Sequence, residues 1–136
     1  MANWLFKEEP DHYSFDDLLR DRTTLWDGVT NNLARLHLRN VKKGDRILFY
    51  HTGKEKAIVG EMRAISGPMP DPNLDDDKAV VVKVKPVKKW SRPVTLKEIK
   101  ARPEFADWEL LRISRLSVMP VSEEHWNLLE QMRDQG

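Results

Sequence analysis

DRILFYHTGKEKAIVGEMRAI, residues 45–65, reads as two apolar runs, 45–52 and 57–65, joined by the polar Gly53-Lys54-Glu55-Lys56. Aromatic and β-branched side chains suit a pleated, half-buried surface, and a short polar link that includes a glycine suits a hairpin turn. The two runs are expected to be the core strands of a sheet.

Working outward, residues 3–8 (NWLFKE) read as a first strand stopped by Pro10. Ser14 and Asp17 have the spacing of a capping box, and Phe15, Leu18 and Leu19 supply the apolar stripe of a short helix ending near Arg22. Residues 25–30 read as a loop, and 31–39 as a second helix with Leu33 and Leu36 inward and Asn31, Arg35 and Arg39 on another stripe. Past the hairpin, residues 67–77 hold three prolines and four aspartates without a period and read as a loop. Residues 78–90 alternate as a half-buried strand in which Pro86 marks a bulge or an edge. Thr95 with Glu98 opens a helix over 96–101 that Pro103 stops, and a further helical piece fits 104–108. Residues 113–119 alternate as a strand, and Ser122 caps a last helix whose core stripe is Trp126, Leu129 and Met132. Five or six short strands interleaved with short helices make an α+β chain, one domain over residues 1–136, built as a small mixed barrel or curved sheet.

Composition narrows the chemistry. The 136 residues include no cysteine, which removes thiolate metal sites and cysteine nucleophiles and fits an intracellular protein. No leader and no apolar run near ~20 residues is present, so a soluble chain is expected. Lys and Arg number 23 against 22 Asp and Glu, so attraction to a polyanion must come from local geometry rather than net charge. The metalloprotease, phosphate-loop, dinucleotide, nucleophile-elbow and EF-hand motifs are all missing. His12, His37, His51 and His125 are too scattered for a metal centre, and Asp75 to Asp77 read as solvated surface. No cofactor is expected.

Four features remain. His51, at the end of its strand, is either a base or ligand donor or a satisfied strand-end histidine. Of Lys7, Glu8 and Glu9, strand parity with Leu5 directs Lys7 inward. Lys83, Lys85, Lys88, Lys89 and Arg92 around Trp90 read either as a phosphate-contacting edge or as a solvated strand face. Trp26, beside Gly28 and just before a helix N-terminus, offers a wall for a flat ring whose edge Asn31 would read; alternatively it plugs a barrel mouth.

The ordered set Trp4-Leu5-x-Lys7-x-Glu9-Pro10, Tyr13-Ser14, Trp26-Asp27-Gly28-Val29-x-Asn31, Ala34-Arg35, Phe49-Tyr50-His51 and Ser114-Arg115-Leu116-Ser117-Val118 resembles the EVE domain over almost the whole chain. The resemblance implies a PUA-like β-pseudobarrel of five to six strands with short peripheral helices, related to YTH and ASCH domains. It implies a non-catalytic reader of a modified base of DNA or RNA, working in the cytoplasm, or in the nucleus of a eukaryote. Carried over by position, Trp26, Asp27, Gly28 and Val29 would form one wall and Asn31 would bond a base edge. Tyr50 and His51 would line the other side, and Lys7, Arg35, Ser114, Arg115 and Ser117 would sit near the pocket or on phosphate. Glu8, Thr30 and Asn32, all expected close to the pocket, depart from the family pattern of serine, a basic residue and tyrosine, which bears on the choice of base and on affinity for the phosphate backbone. The alternatives are an ASCH-like hydrolase or nuclease using Lys7, Glu9 or His51, and an interaction domain without a working pocket.

Overall fold

The computed structural model describes residues 1–76 and 78–135. One mixed sheet organises them: β1 (Asn3–Glu8), β2 (Thr24–Trp26), β3 (Arg46–His51), β4 (Ala57–Ala64), β5 (Met69–Pro70), β6 (Val80–Thr95) and β7 (Val118–Pro120). The strand order is β2-β6-β4-β3-β1-β7, with β5 also paired to β6. The β1–β3 pair is parallel and every other pair is antiparallel. Around this curled half-barrel lie α1 (Phe15–Asp21), α2 (Asn32–Arg39), α3 (Leu96–Lys100), α4 (Glu109–Arg112) and α5 (Glu123–Asp134).

The hairpin of residues 45–65 is β3 and β4, and it occupies the centre of the sheet. Gly60 in β4 faces the ring of Phe15, the first residue of α1, so closely that a Cβ there would lie 2.6 Å from Phe15 Cε1. The glycine is what lets α1 press onto the sheet. The α1 capping box is present in both directions, Ser14 Oγ accepting from Asp17 N–H at 3.1 Å and Asp17 from Ser14 N–H at 2.9 Å. The β4–β6 register slips twice. At Met62 the partner is Pro86, and between Ile58 and Gly60 the partner jumps from Val94 to Lys89, leaving Trp90 to bulge into the core.

Several expectations need correction. Residues 24–26 form a strand rather than a loop, because β6 continues to Thr95 and its early part pairs with them. Of the segment 113–119 only the end pairs with β1; Leu116 N–H donates to Ile113 O at 3.0 Å in a turn, and its burial produces the strand-like alternation. On α2 the buried residues are Ala34 and Leu38, whereas Leu33 is 38% and Leu36 52% exposed. The helix is turned on its axis because Arg35 Nε donates to Val29 O at 2.7 Å and Arg39 reaches Lys78 O at 2.9 Å. Arg35 also lies 3.4 Å from Asp76, which brings the end of the 67–76 loop to the arginine stripe. Asp77, part of the acidic run, lies outside the described residues. The helical piece near 104–108 is a 3-10 turn, Pro103–Phe105, followed by α4, and the Thr95–Glu98 capping box of α3 is present as expected.

Candidate nucleic-acid interface

The carboxyl end of β1 is where the functional residues gather, and strand parity divides them. Phe6 and Glu8 face one side, Leu5 and Lys7 the other; in the parallel register Phe6 pairs with Phe49, Lys7 with Tyr50 and Glu8 with His51. Tyr50 and His51 therefore face opposite sides of the sheet and do not line one pocket.

On the Phe6 side, Trp26 packs tilted on Phe6 at 5.3 Å and edge-on to Phe49 at 5.2 Å. Its ring is only 4% exposed, so it is a wall set into the core and not a free-standing platform. Beside it opens a hollow of about 260 Å³ lined by Glu8, His12, Tyr13, Thr24, Leu25, Trp26 and Asp27. That volume lies just below the ~300–1,000 Å³ of sites for drug-sized ligands and suits a single heterocycle. The Tyr13 hydroxyl is engaged by Asp21 at 2.9 Å, and burial pushes that phenol above its ordinary pKa. Glu8 Oε1 accepts from Glu9 N–H at 2.9 Å and lies 3.2 Å from His12 Nδ1.

On the other side, Lys7, Tyr50, Thr52, Gly53, Lys56, Lys100 and Ser114, with leucines beneath, line a second hollow of about 230 Å³. Lys7 Nζ donates to Ser114 O at 3.0 Å and stands 5.6 Å from the centre of the Tyr50 ring. Burial lowers the Lys7 ammonium pKa and raises the Tyr50 phenol to about 12. Lys56 is held at φ +45°, a conformation non-glycine residues rarely adopt.

The other expected site residues have local duties. His51 is buried; its Nε2 accepts from Phe15 N–H at 3.1 Å, which leaves Nδ1 to donate to Glu55 at 2.6 Å. It borders a separate hollow of about 190 Å³ with Phe15, Glu55, Lys89 and Trp90. Asn31 caps α2 through Ala34 N–H at 3.0 Å, Val29 is in the core, Gly28 takes φ +72°, and Arg35 holds Val29 O as described. Ser117 O accepts from Lys7 N–H at 2.9 Å, and Arg115 is exposed. Lys83 and Lys85 project from β6 on the side away from Val82 and Val84, hence away from Trp26. Lys89 pairs with Asp16 at 2.7 Å, and Lys88 lies opposite Glu61. The four lysines do not form one patch. Of the three departures from the family pattern, Thr30 and Asn32 are exposed outside the Trp26 hollow, and Glu8 lines it. Sequence reasoning set Glu8, Thr30 and Asn32 close to the pocket, which holds for Glu8 alone, and passed over His12, Tyr13 and Thr24 as lining. Among the described residues no group of three or more histidines and carboxylates is placed to hold a metal, and no helix is long and apolar enough to cross a membrane.

A curled mixed sheet with a central parallel pair, short helices around it and a heterocycle-sized hollow at its rim is a PUA-like β-pseudobarrel domain. The EVE domain model matches residues 2–132, and the chain belongs to that family. It is 31% identical to mouse (Mus musculus) thymocyte nuclear protein 1, across 93% of this chain and 71% of that protein. The solution structure of Rpa0253 from Rhodopseudomonas palustris superposes with a TM-score of 0.93 at 39% identity, covering 99% of this chain and 94% of the other. Human THYN1 in complex with DNA containing 5-methylcytosine superposes at 0.92 with 28% identity, covering 100% and 99%. An ASCH protein from Zymomonas mobilis reaches only 0.59 at 11% identity, covering 96% and 95%, a likeness of fold alone.

Proposed function

We propose that this protein is a reader of nucleic acid that takes one modified base into the hollow beside Trp26 while Lys7 and its neighbours hold the strand's phosphates. The carrying observation is the pair of hollows on opposite sides of the end of β1. The first has Trp26 as a wall and Glu8 and Asp27 as its carboxylates; the second is ringed by Lys7, Lys56 and Lys100. A phosphodiester is repelled from the first and attracted to the second, whereas a neutral heterocycle fits the first. The DNA carried by the human relative, which contains 5-methylcytosine, supports a modified base as the ligand. Either DNA or RNA fits this chemistry.

Binding without catalysis is favoured by the placement of the groups an enzyme would use. Lys7 faces the second hollow, both nitrogens of His51 are engaged inside the chain, and Glu9 holds the hairpin through Thr52 Oγ1 at 3.1 Å. Acid–base catalysis needs such groups within reach of one reacting atom. The workplace that fits a nucleic-acid reader is the cytoplasm, or the nucleus in a eukaryote.

The test is binding of DNA and RNA oligonucleotides with and without 5-methylcytosine to the native protein and to Asp27→Phe, which puts a ring at the mouth of the hollow from an exposed position. Tighter binding of the modified strands, weakened at least about tenfold in the variant at unchanged melting temperature, is expected. Undiminished binding by Asp27→Phe would overturn the reading.

A further inference from the structure

The polar atoms lining the Trp26 hollow are unequally used. The Tyr13 hydroxyl is bonded to Asp21. Glu8 Oε1 is held by the backbone N–H of Glu9, with His12 beside it, and this fixes the carboxylate in place. Glu8 Oε2 has no partner among the described residues. Glu8 shares its face of β1 with Phe6, whose ring centre is 5.3 Å from that of Trp26, so the carboxylate stands next to the indole. Asp27 adds a second, exposed carboxylate to the same lining. Against these acceptors the hollow offers few donors. Trp26, which lines the hollow, has an indole N–H with no hydrogen-bond partner among the described residues, and it is not one of their buried orphan groups, those of Arg63, Trp90 and Trp126.

We propose that Glu8 is the specificity-determining residue of this hollow, and that it selects bases bearing an exocyclic amino group, of the cytosine, adenine or guanine type, and rejects thymine and uracil. This rests on the base-reading function argued above. An ionised carboxylate only accepts hydrogen bonds, and it pairs well with an amino group such as cytosine N4. The pairing edge of thymine or uracil sets a carbonyl on each side of its one N–H, so Glu8 Oε2 meets at least one oxygen lone pair and the pair repel. The Trp26 N–H then bonds a ring nitrogen or carbonyl on the same edge. A serine at position 8, the residue of the family pattern, both donates and accepts and carries no charge, so it exerts no such choice.

Short strands in which a single cytosine, adenine, guanine or thymine is flanked only by abasic sites allow just one base to enter. The full chain should bind the three amino-bearing strands at least about tenfold more tightly than the thymine strand, the scale of one hydrogen bond to a charged group. Glu8→Gln, whose amide also donates, and Glu8→Ser should each bring the four strands within about twofold of one another at unchanged melting temperature. Equal binding of thymine and cytosine strands by the native protein, or discrimination that survives both substitutions, overturns the assignment of Glu8 while leaving base reading intact. A fully abasic strand that binds as tightly as the others would instead sink base reading itself.

Discussion

His51→Leu separates a structural histidine from a ligand-binding one. Phe15 N–H is one of the first N–H groups of α1, which no carbonyl within the helix can satisfy, and His51 Nε2 accepts from it at 3.1 Å in a buried setting. Leucine fills much of the ring's volume and supplies no acceptor, leaving a buried donor unpaired at about 1–3 kcal/mol. The bond from Nδ1 to Glu55 is lost as well, but that carboxylate side chain is 42% exposed, so its share is below about 1 kcal/mol. The edge-on contact with Phe49 at 5.4 Å contributes about 0.5–1.5 kcal/mol, part of which leucine restores. The expected loss is about 2–4 kcal/mol. With a urea slope near ~2 kcal/mol/M, the midpoint falls by about 1–2 M at unchanged slope. Hydrogen exchange at Phe15 N–H should accelerate in parallel, while affinity for oligonucleotides measured below the transition stays within about twofold. A variant with native stability that no longer binds nucleic acid would refute this account and make His51 a ligand contact.

Gly60→Ala should destabilise by about 1–3 kcal/mol in the same urea assay, since its Cβ would meet the Phe15 ring at 2.6 Å. Trp26→Ala should lose about 3–5 kcal/mol because the ring is core, so a loss of binding in that variant reports unfolding unless the melting curve shows otherwise. Stability should fall as pH drops below the ordinary carboxylate range: the Arg92 guanidinium holds Glu98 below its usual value and the Asn3 amide holds Glu123 below its own. The unfolded chain takes up those protons first, so urea midpoints measured across pH 3–6 should decline, less steeply in Glu98→Gln. At the alkaline end Tyr50 titrates near 12 against about 10 unfolded, so the unfolded chain loses its proton first; stability should drop between those values, and less so in Tyr50→Phe.

What could be read from the chain was what neighbouring residues decide. The hairpin of β3 and β4, the caps at Ser14, Thr95 and Ser122, and the core stripe of α5 all depend on spacings of a few residues, and all are present. β2 escaped notice because three residues, Thr24 to Trp26, become a strand only by pairing with Val82 to Val84 far along the chain. The rotation of α2 depends on Arg35 and Arg39 finding carbonyls at Val29 and Lys78, which no helical period encodes. The same holds at the site. Trp26 was legible as an aromatic at a pocket, but its burial against Phe6 and Phe49 follows from how β1, β2 and β3 are assembled. Parity placed Lys7 correctly among inward-facing groups, yet β1 is covered on both faces, so Glu8 reaches a hollow of its own.

Indole N–H resonances give the most direct test of a base entering beside Trp26. The chain has five tryptophans. Trp4 donates to Asp45 at 2.9 Å, Trp108 to Pro120 O at 3.0 Å, and those of Trp90 and Trp126 are sealed in the interior. On titration with a short strand carrying one 5-methylcytosine, the Trp26 indole N–H and the Glu8 and Asp27 backbone amides should shift together and saturate at one affinity while the other four indoles stay in place. Saturable binding that leaves the Trp26 indole unmoved would contradict the account.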